Sequence, residues 1–137
     1  MRNRTKAREC ALKILYAFDI RKDALEECAH DFWENHPTSE DEVKKFSTLI
    51  VEGVRQNKDF IDAAISKYAK NWQIKRMATV DRNILRLGTF ELLFAADIPP
   101  KVAINEAIEM AKRYGDKDSG KFVNGILDKI NKAEERK

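Results

Sequence analysis

Apolar residues recur every three or four positions along most of the chain, in segments that short polar links separate. In the opening segment, Ala7, Ala11 and Ile14 share one face at about 100° per residue. This period is typical of amphipathic helices, and no stretch shows the alternation of a half-buried strand. With 137 residues but only five glycines and three prolines, the sequence predicts one all-α domain of long helices joined by short turns.

The pattern predicts seven helices, over about residues 4–21, 25 to near 37, 39–54, 60–68, 80–92, 102–111 and 119–130. Ser39 and Glu42 have the spacing of a capping box that would open the third helix, and Gly115 would cap the sixth. We expect a single domain, residues 1–137, with sub-bundles of roughly 1–71 and 72–137 that meet near Trp72. The charged segment 132–137 is expected to fray.

The charges are unevenly distributed. Residues 1–8 contain Arg2, Arg4, Lys6 and Arg8 and no acid, whereas residues 23–42 contain eight acidic residues and no Lys or Arg. Such polarity predicts one face suited to a polyanion, and a solvated surface with a frayed basic terminus explains it equally well.

No segment is long and apolar enough to span a bilayer, and no signal-peptide pattern opens the chain, so we expect it to stay inside the cell.

One segment, residues 115–122, has the two glycines and the lysine of a phosphate-binding loop. That loop requires Ser or Thr after the lysine, because the hydroxyl binds magnesium, and here Phe122 follows Lys121. The segment also follows a predicted helix instead of a strand, and Asp116 and Asp118 would repel a triphosphate. These departures exclude nucleotide hydrolysis.

Other catalytic and metal sites also lack support. His30 and His36 are the only histidines, and neither they nor Cys10 and Cys28 have the short spacing of a zinc site. Cys10 lies on the apolar stripe of the first helix, which predicts a buried, reduced thiol. We therefore predict no catalytic residue, no metal and no cofactor, and a protein that is not an enzyme.

Basic residues next to aromatic ones remain as candidate binding sites, because single-stranded RNA needs cations for phosphates and flat side chains for bases. On the first helix, Arg8, Leu12 and Tyr16 share a side, although Leu12 and Tyr16 would equally pack on a neighbouring helix. On the last helix, Lys121, Gly125 and Lys129 border Phe122. A glycine inside a helix indicates a close approach, either by a neighbouring helix or by RNA. Ser119 and Gly120 would offer backbone amides to a phosphate.

Several segments together resemble the NusB family. The opening 7–16, the stretches 80–87 and 90–93, and the segments 97–99, 102–109 and 121–128 all match its pattern. The likeness covers nearly the whole chain and is densest from Trp72 to Ile130. It implies an all-helical fold, and a transcription antitermination factor that binds boxA-type single-stranded RNA together with the ribosomal protein NusE. The resemblance further implies a role in the transcription elongation complex, and it allows a homodimer.

The resemblance also implies site residues. Its RNA surface corresponds here to the following positions: Arg2, Arg4, Lys6, Arg8, Tyr16, Tyr68, Asp118, Lys121 and Phe122. The NusE-facing surface corresponds to the helix with Asp81, Arg82 and Arg86, although Arg82 and Arg86 at a spacing of four also fit internal ion pairs. Two other functions stay open: an accessory RNA-binding module of an RNA cytosine methyltransferase system, and an interaction protein whose acidic helix docks a basic partner.

Overall fold

The structure, a computed structural model, describes the backbone of residues 2–137 and the side chains of residues 3–137. Within that part of the chain it contains seven α-helices and no strand. The helices are α1 (Arg2–Arg21), α2 (Leu25–Asn35), α3 (Asp41–Gln56), α4 (Lys58–Tyr68), α5 (Thr79–Phe94), α6 (Pro100–Tyr114) and α7 (Ser119–Ala133). A short 3-10 turn, Ile74–Arg76, precedes α5. No helix of the described residues is long and apolar enough to cross a membrane.

Helix α5 forms the centre of the molecule. Every residue from Asn83 to Leu93 is buried. A helix that is buried on all sides needs neighbours on all sides, and α5 contacts α1, α3, α4, α6 and α7. Helix α2 packs on α1, and α4 also contacts α7. Helix α5 thus contacts helices from both expected sub-bundles and does not separate them. The division into two sub-bundles near residue 71 stays a prediction.

Two glycines allow α5 to approach its neighbours closely. A Cβ at Gly53 of α3 would overlap the ring of Phe90, and a Cβ at Gly88 would lie 2.8 Å from Cδ1 of Leu127 on α7. Neither contact leaves room for a side chain, since carbon atoms pack at about 3.5–4.0 Å. Glycine at these positions therefore sets how closely α3 and α7 pack against the central helix.

Three local predictions are wrong. No capping box forms: α3 begins after Glu40 without a side-chain cap, and the Glu40 amide donates instead to Thr38 Oγ1 at 3.1 Å. The segment after α7 does not fray, because the Arg136 guanidinium donates hydrogen bonds to the carbonyls of Glu91, Leu92, Ala96 and Ile98. The last carbonyls of a helix lack intrahelical partners, and Arg136 supplies a partner for two of those in α5, Glu91 and Leu92. Cys10 is a free thiol, but it is half-buried instead of buried.

A buried ion pair joins α1 to α5. The Arg8 side chain is 1% exposed, and its Nε donates to Glu91 Oε2 at 2.8 Å, where Glu91 is fully buried. Arg8 Nη1 also donates to Glu106 Oε1 of α6 at 3.1 Å. Burial raises the pKa of Glu91 although the charge and hydrogen bond of Arg8 oppose the shift. Arg8 therefore holds three helices together from inside the core.

Removal of this arginine tests that role. We expect Arg8→Met to lower the free energy of unfolding by about 3–5 kcal/mol, because it leaves a buried carboxylate without a partner. The double variant Arg8→Met, Glu91→Leu should be more stable than the single variant, since no unpaired charge then remains buried at Glu91. Urea denaturation followed by circular dichroism measures both. A double variant that is no more stable than Arg8→Met would contradict this interpretation.

Candidate nucleic-acid interface

A pocket of about 300 Å³ lies between the start of α7 and the segment that leads into α5. Trp72 and Phe122 form an aromatic wall, with ring centroids 6.2 Å apart and planes at 77°. Trp72 is 56% exposed, which is unusual for so large an apolar side chain. The other lining residues include three aspartates and one arginine: Arg76, Met77, Ala78, Asp81, Asp116, Asp118 and Ser119.

Local hydrogen bonds fix the two segments that form the pocket. The Trp72 amide donates to the Ala69 carbonyl at 3.0 Å, which closes a turn after α4. In the loop before α7, Asp116 Oδ1 accepts hydrogen bonds from the Asp118 amide at 2.9 Å and from Ser119 Oγ at 3.3 Å. An aspartate that binds the backbone two residues later stabilises a turn. The segment that resembles a phosphate-binding loop is thus closed by its own carboxylate.

This closure corrects the expectation for the Ser119 amide at the start of α7. Ser119 is buried, and its amide donates to the Asp116 carbonyl at 3.2 Å. The Ser119 amide is therefore not free to hold a phosphate.

The carboxylates give the pocket the character of a hydrogen-bond acceptor. Asp81 lines it from the first turn of α5, and its Oδ1 is buried without a hydrogen-bond partner among the described residues. Burial raises the pKa of Asp81, and the nearby charge of Asp116 adds to that shift while Ser119 opposes it. An aromatic wall beside an unsatisfied acceptor suits a flat ligand that carries N–H groups. Among described residues, no three or more His, Cys, Asp or Glu are grouped to hold a metal ion.

Lysines flank the pocket on two sides. A groove between α6 and α7 is lined by Lys112, Lys117 and Lys121. On the other side of Trp72, a larger open groove of about 800 Å³ contains Lys22, Lys58, Lys70 and Lys75 at its rim. Trp72 lines both this groove and the pocket. An acidic aromatic pocket between two basic grooves separates the places where a base and a phosphate are favoured.

Among the RNA residues that the sequence predicts, Asp118 and Phe122 meet in the pocket, and Lys121 lines the neighbouring groove. Asp81, expected on the NusE-facing surface, also lines the pocket. Sequence reasoning did not assign Trp72 to binding. The sequence contains a signal for such a role. Trp72 lies at a helix break among Lys70, Lys75 and Arg76, where no apolar stripe of a helix accounts for a tryptophan.

The two predicted tyrosines have different surroundings. Tyr16 on α1 is 40% exposed, whereas Leu12, expected on the same side, is buried against neighbouring helices. Tyr68 is half-buried at the end of α4, where its hydroxyl donates to Glu134 Oε2 at 2.6 Å. This hydrogen bond, together with Lys67, lowers the pKa of Glu134 and, with partial burial, raises the pKa of Tyr68. The ring of Tyr68 is thereby held in place beside α7.

The basic residues at the start of the chain are only partly available to a ligand. Arg8 cannot reach a phosphate, because its guanidinium is buried and bound to Glu91, so its assignment to the RNA surface is wrong. Arg4 and Lys6 are exposed: the Arg4 guanidinium lies over the Phe46 ring at 4.5 Å, and Lys6 pairs with Glu40 at 3.1 Å. The side chain of Arg2 lies outside the described residues.

The pair Arg82 and Arg86 forms internal ion pairs, the alternative that their spacing allows. Arg82 Nε donates to Asp19 Oδ2 at 2.7 Å, and Arg86 bonds both Asp19, at 3.1 Å, and Asp62, at 2.8 Å. Arg86 is 6% exposed, so its assignment to the NusE-facing surface is wrong. Burial alone would raise the pKa of Asp19, but hydrogen bonds from Arg82 and Asn83 and the charge of Arg86 lower it to about 2.

The comparison with protein families decides the relationship. The model described as the NusB family matches residues 5–132. The chain belongs to the NusB family. It is 47% identical over 127 residues to the transcription antitermination protein NusB of Anaeromyxobacter dehalogenans, covering 93% of this chain and 89% of that one. It is 48% identical over 136 residues to NusB of Trichlorobacter lovleyi, with 97% and 95% coverage.

Solved structures share the fold. T. maritima NusB is 41% identical with a TM-score of 0.88, over 98% of this chain and 93% of that one. A chain from a crystal structure of antitermination factors NusB and NusE in complex with dsRNA is 32% identical, with a TM-score of 0.90 and coverage of 97% and 98%. These matches confirm the NusB resemblance and the all-α fold. The names of the NusB relatives agree with the expectation that the chain is not an enzyme.

The ion-pair cluster of α1 and α5 generates a pH-dependent prediction. Because the folded pKa of Asp19 is about 2, below its usual 3.8, its stabilising effect is present above pH 3.8 and is lost as the pH falls toward 2. We expect Asp19→Asn to be less stable than wild type at pH 5. The difference in the free energy of unfolding should shrink as the pH falls from 3.8 to 2. Urea denaturation at several pH values measures it. A difference that stays constant down to pH 2 contradicts the ion-pair role.

Proposed function

We propose that this protein is a cytoplasmic transcription antitermination factor that binds boxA-type single-stranded RNA together with NusE. It acts within the transcription elongation complex and helps RNA polymerase pass terminators. The names of its relatives support this function, as does its likeness to a NusB chain solved with NusE and dsRNA. The observation that carries the proposal is the aromatic pocket of Trp72 and Phe122, with carboxylates among its lining residues and lysine grooves on both sides.

The pocket accepts an unstacked base. Single-stranded RNA is recognised by stacking on aromatic rings and by hydrogen bonds to the base edges. Phe122 and Trp72 provide the rings, and the carboxylates of Asp118 and Asp81 accept hydrogen bonds from amino or imino groups of the base, as carboxylates do from cytosine N4. The pocket disfavours a phosphate, because three lining carboxylates outweigh the one lining cation, Arg76.

The lysine grooves hold the sugar–phosphate backbone on either side of that base. Lys121 directly precedes Phe122 of the pocket, and neither it nor Lys70 or Lys75 forms an ion pair among the described residues. Lysines without a carboxylate partner release counterions when they bind phosphates, which gives salt-dependent affinity. Arg4, Lys6, Tyr16 and the ring of Tyr68 extend this RNA surface, and Arg2 would add to it.

The aromatic contact is tested by Phe122→Ala. If a base stacks on this ring, its removal should weaken binding by about 1–3 kcal/mol, which is roughly 5- to 150-fold in Kd. Fluorescence anisotropy with a labelled boxA RNA, in the presence and absence of NusE, measures the loss. Trp72→Ala should show a loss of the same order, since both rings line the pocket.

A matched control separates stacking from a general loss of apolar surface. Leu49 is 52% exposed on α3 and lines neither the pocket nor the two lysine grooves. Leu49→Ala should therefore leave the RNA affinity unchanged. Circular dichroism and thermal unfolding establish that each variant is folded. Full RNA affinity in a folded Phe122→Ala variant would disprove the stacking role.

Sequence specificity tests the function itself. Wild type should bind boxA RNA more tightly than a scrambled RNA of the same composition, and NusE should increase that preference. Equal affinity for both RNAs would overturn the proposal. Co-purification with an RNA cytosine methyltransferase in place of NusE would favour an accessory role.

A further inference from the structure

Gly125 occupies a position where the protein itself gives no reason for a glycine. It is the seventh residue of the fifteen-residue helix α7 and it is exposed. A Cβ built there would have no heavy atom within 4 Å, whereas a Cβ at Gly53 or Gly88 would overlap a neighbouring helix. Of the two alternatives for a close approach at Gly125, a neighbouring helix is therefore wrong.

A glycine at such a site is unfavourable for folding. Relative to alanine inside a helix, it lowers the folding equilibrium constant by about fivefold. Its backbone conformation is not left-handed, so no turn requires it. The other explanation that the sequence offered for this glycine is a ligand. It would approach the surface of α7 so closely that a side chain at position 125 would displace it.

The surroundings of Gly125 indicate which ligand this is. Phe122, one turn earlier, forms the wall of the base pocket. Lys121 and Lys129 lie four residues before and after Gly125, hence about 6 Å away along the axis and on the same side of the helix. Neither lysine forms an ion pair within residues 3–137. The acid on this side, Asp128, pairs with Lys132 at 3.1 Å. Two unpaired cations around a residue without a side chain therefore favour a polyanion over an apolar partner helix.

We infer that the sugar–phosphate backbone of the bound RNA lies directly against α7 at Gly125, between Lys121 and Lys129. The inference rests on the proposed function and adds a contact residue to its RNA surface. One nucleotide places its base against Phe122, and the strand continues along α7, where the absence of a side chain lets its phosphates reach both lysines. Gly125 thus determines how closely the RNA follows the helix.

Two substitutions test this contact through opposite effects on stability and binding. Gly125→Ala should raise the Tm by about 2–5 °C, because alanine favours the helix and meets no atom of the protein. It should also weaken boxA binding by about three- to tenfold. Gly125→Leu should weaken binding further, and it should reduce the slope of log K against log salt, because the displaced strand loses contacts to Lys121 and Lys129.

Asn131 provides the matched control. It is exposed on the same helix, six residues later and about 120° around the axis from Gly125. Asn131→Ala should also raise the Tm, since alanine is a better helix former than asparagine, but it should leave the RNA affinity and its salt dependence unchanged. Asn131→Leu controls for added bulk.

The outcomes separate this inference from the proposed function. If wild type binds boxA RNA and Phe122→Ala weakens it, but both Gly125 variants bind as wild type does, the RNA does not contact Gly125 and the inference is wrong. If the Gly125 variants weaken NusE binding and leave the RNA affinity of the protein alone unchanged, the occupant of this face is a protein and the inference is again wrong. Absence of specific RNA binding by wild type overturns the function first.

Discussion

The charged side chains of the central helix determine how the rest of the chain packs around it. Helix α5 is buried on all sides, yet it contains Glu91 and Arg86. A buried charge is tolerated only with a partner. Helix α1 supplies one for each, Arg8 for Glu91 and Asp19 for Arg86, and Asp62 of α4 is a second partner of Arg86. Arg8 and Asp19 are eleven residues apart, close to three helical turns, so both face α5 from the same side of α1. These two ion pairs fix an antiparallel register for α1 that apolar contacts alone would leave free to slide.

The same ion pairs explain why sequence reasoning misplaced part of the binding surface. The apolar period of α1 predicts which face is buried, but it does not tell whether a cation beside that face pairs internally or remains free. Arg8 and Arg86 are buried cations, and Lys121 is a free one, although all three are basic residues next to an apolar stripe. The difference depends on carboxylates such as Glu91 and Asp62, which lie 83 and 24 residues away from their partners in the chain. A local pattern does not contain that information.

The helices themselves were predictable because periodicity is local, and the family resemblance supplied Phe122 and Asp118. Features that depend on the tertiary structure were not. Arg136 binds carbonyls at the end of α5, so a segment that reads as a frayed tail is ordered. Gly125 has the same sequence signal as Gly88, a glycine inside a helix, but only Gly88 is covered by a neighbouring side chain. Trp72 escaped prediction because an exposed aromatic residue in a link belongs to no periodic pattern.

The arrangement of charge also bears on how an RNA surface can contain so many acids. Asp81, Asp116 and Asp118 reduce the attraction of the pocket for any polyanion, which would be a defect if affinity alone mattered. Under the proposed function, they favour a base with N–H groups between Trp72 and Phe122 and leave the phosphates to the lysine grooves. A uniformly basic surface would bind RNA in many registers. Alternating basic and acidic patches along one strand favour a single register, and they exchange general affinity for the ability to distinguish one sequence from another.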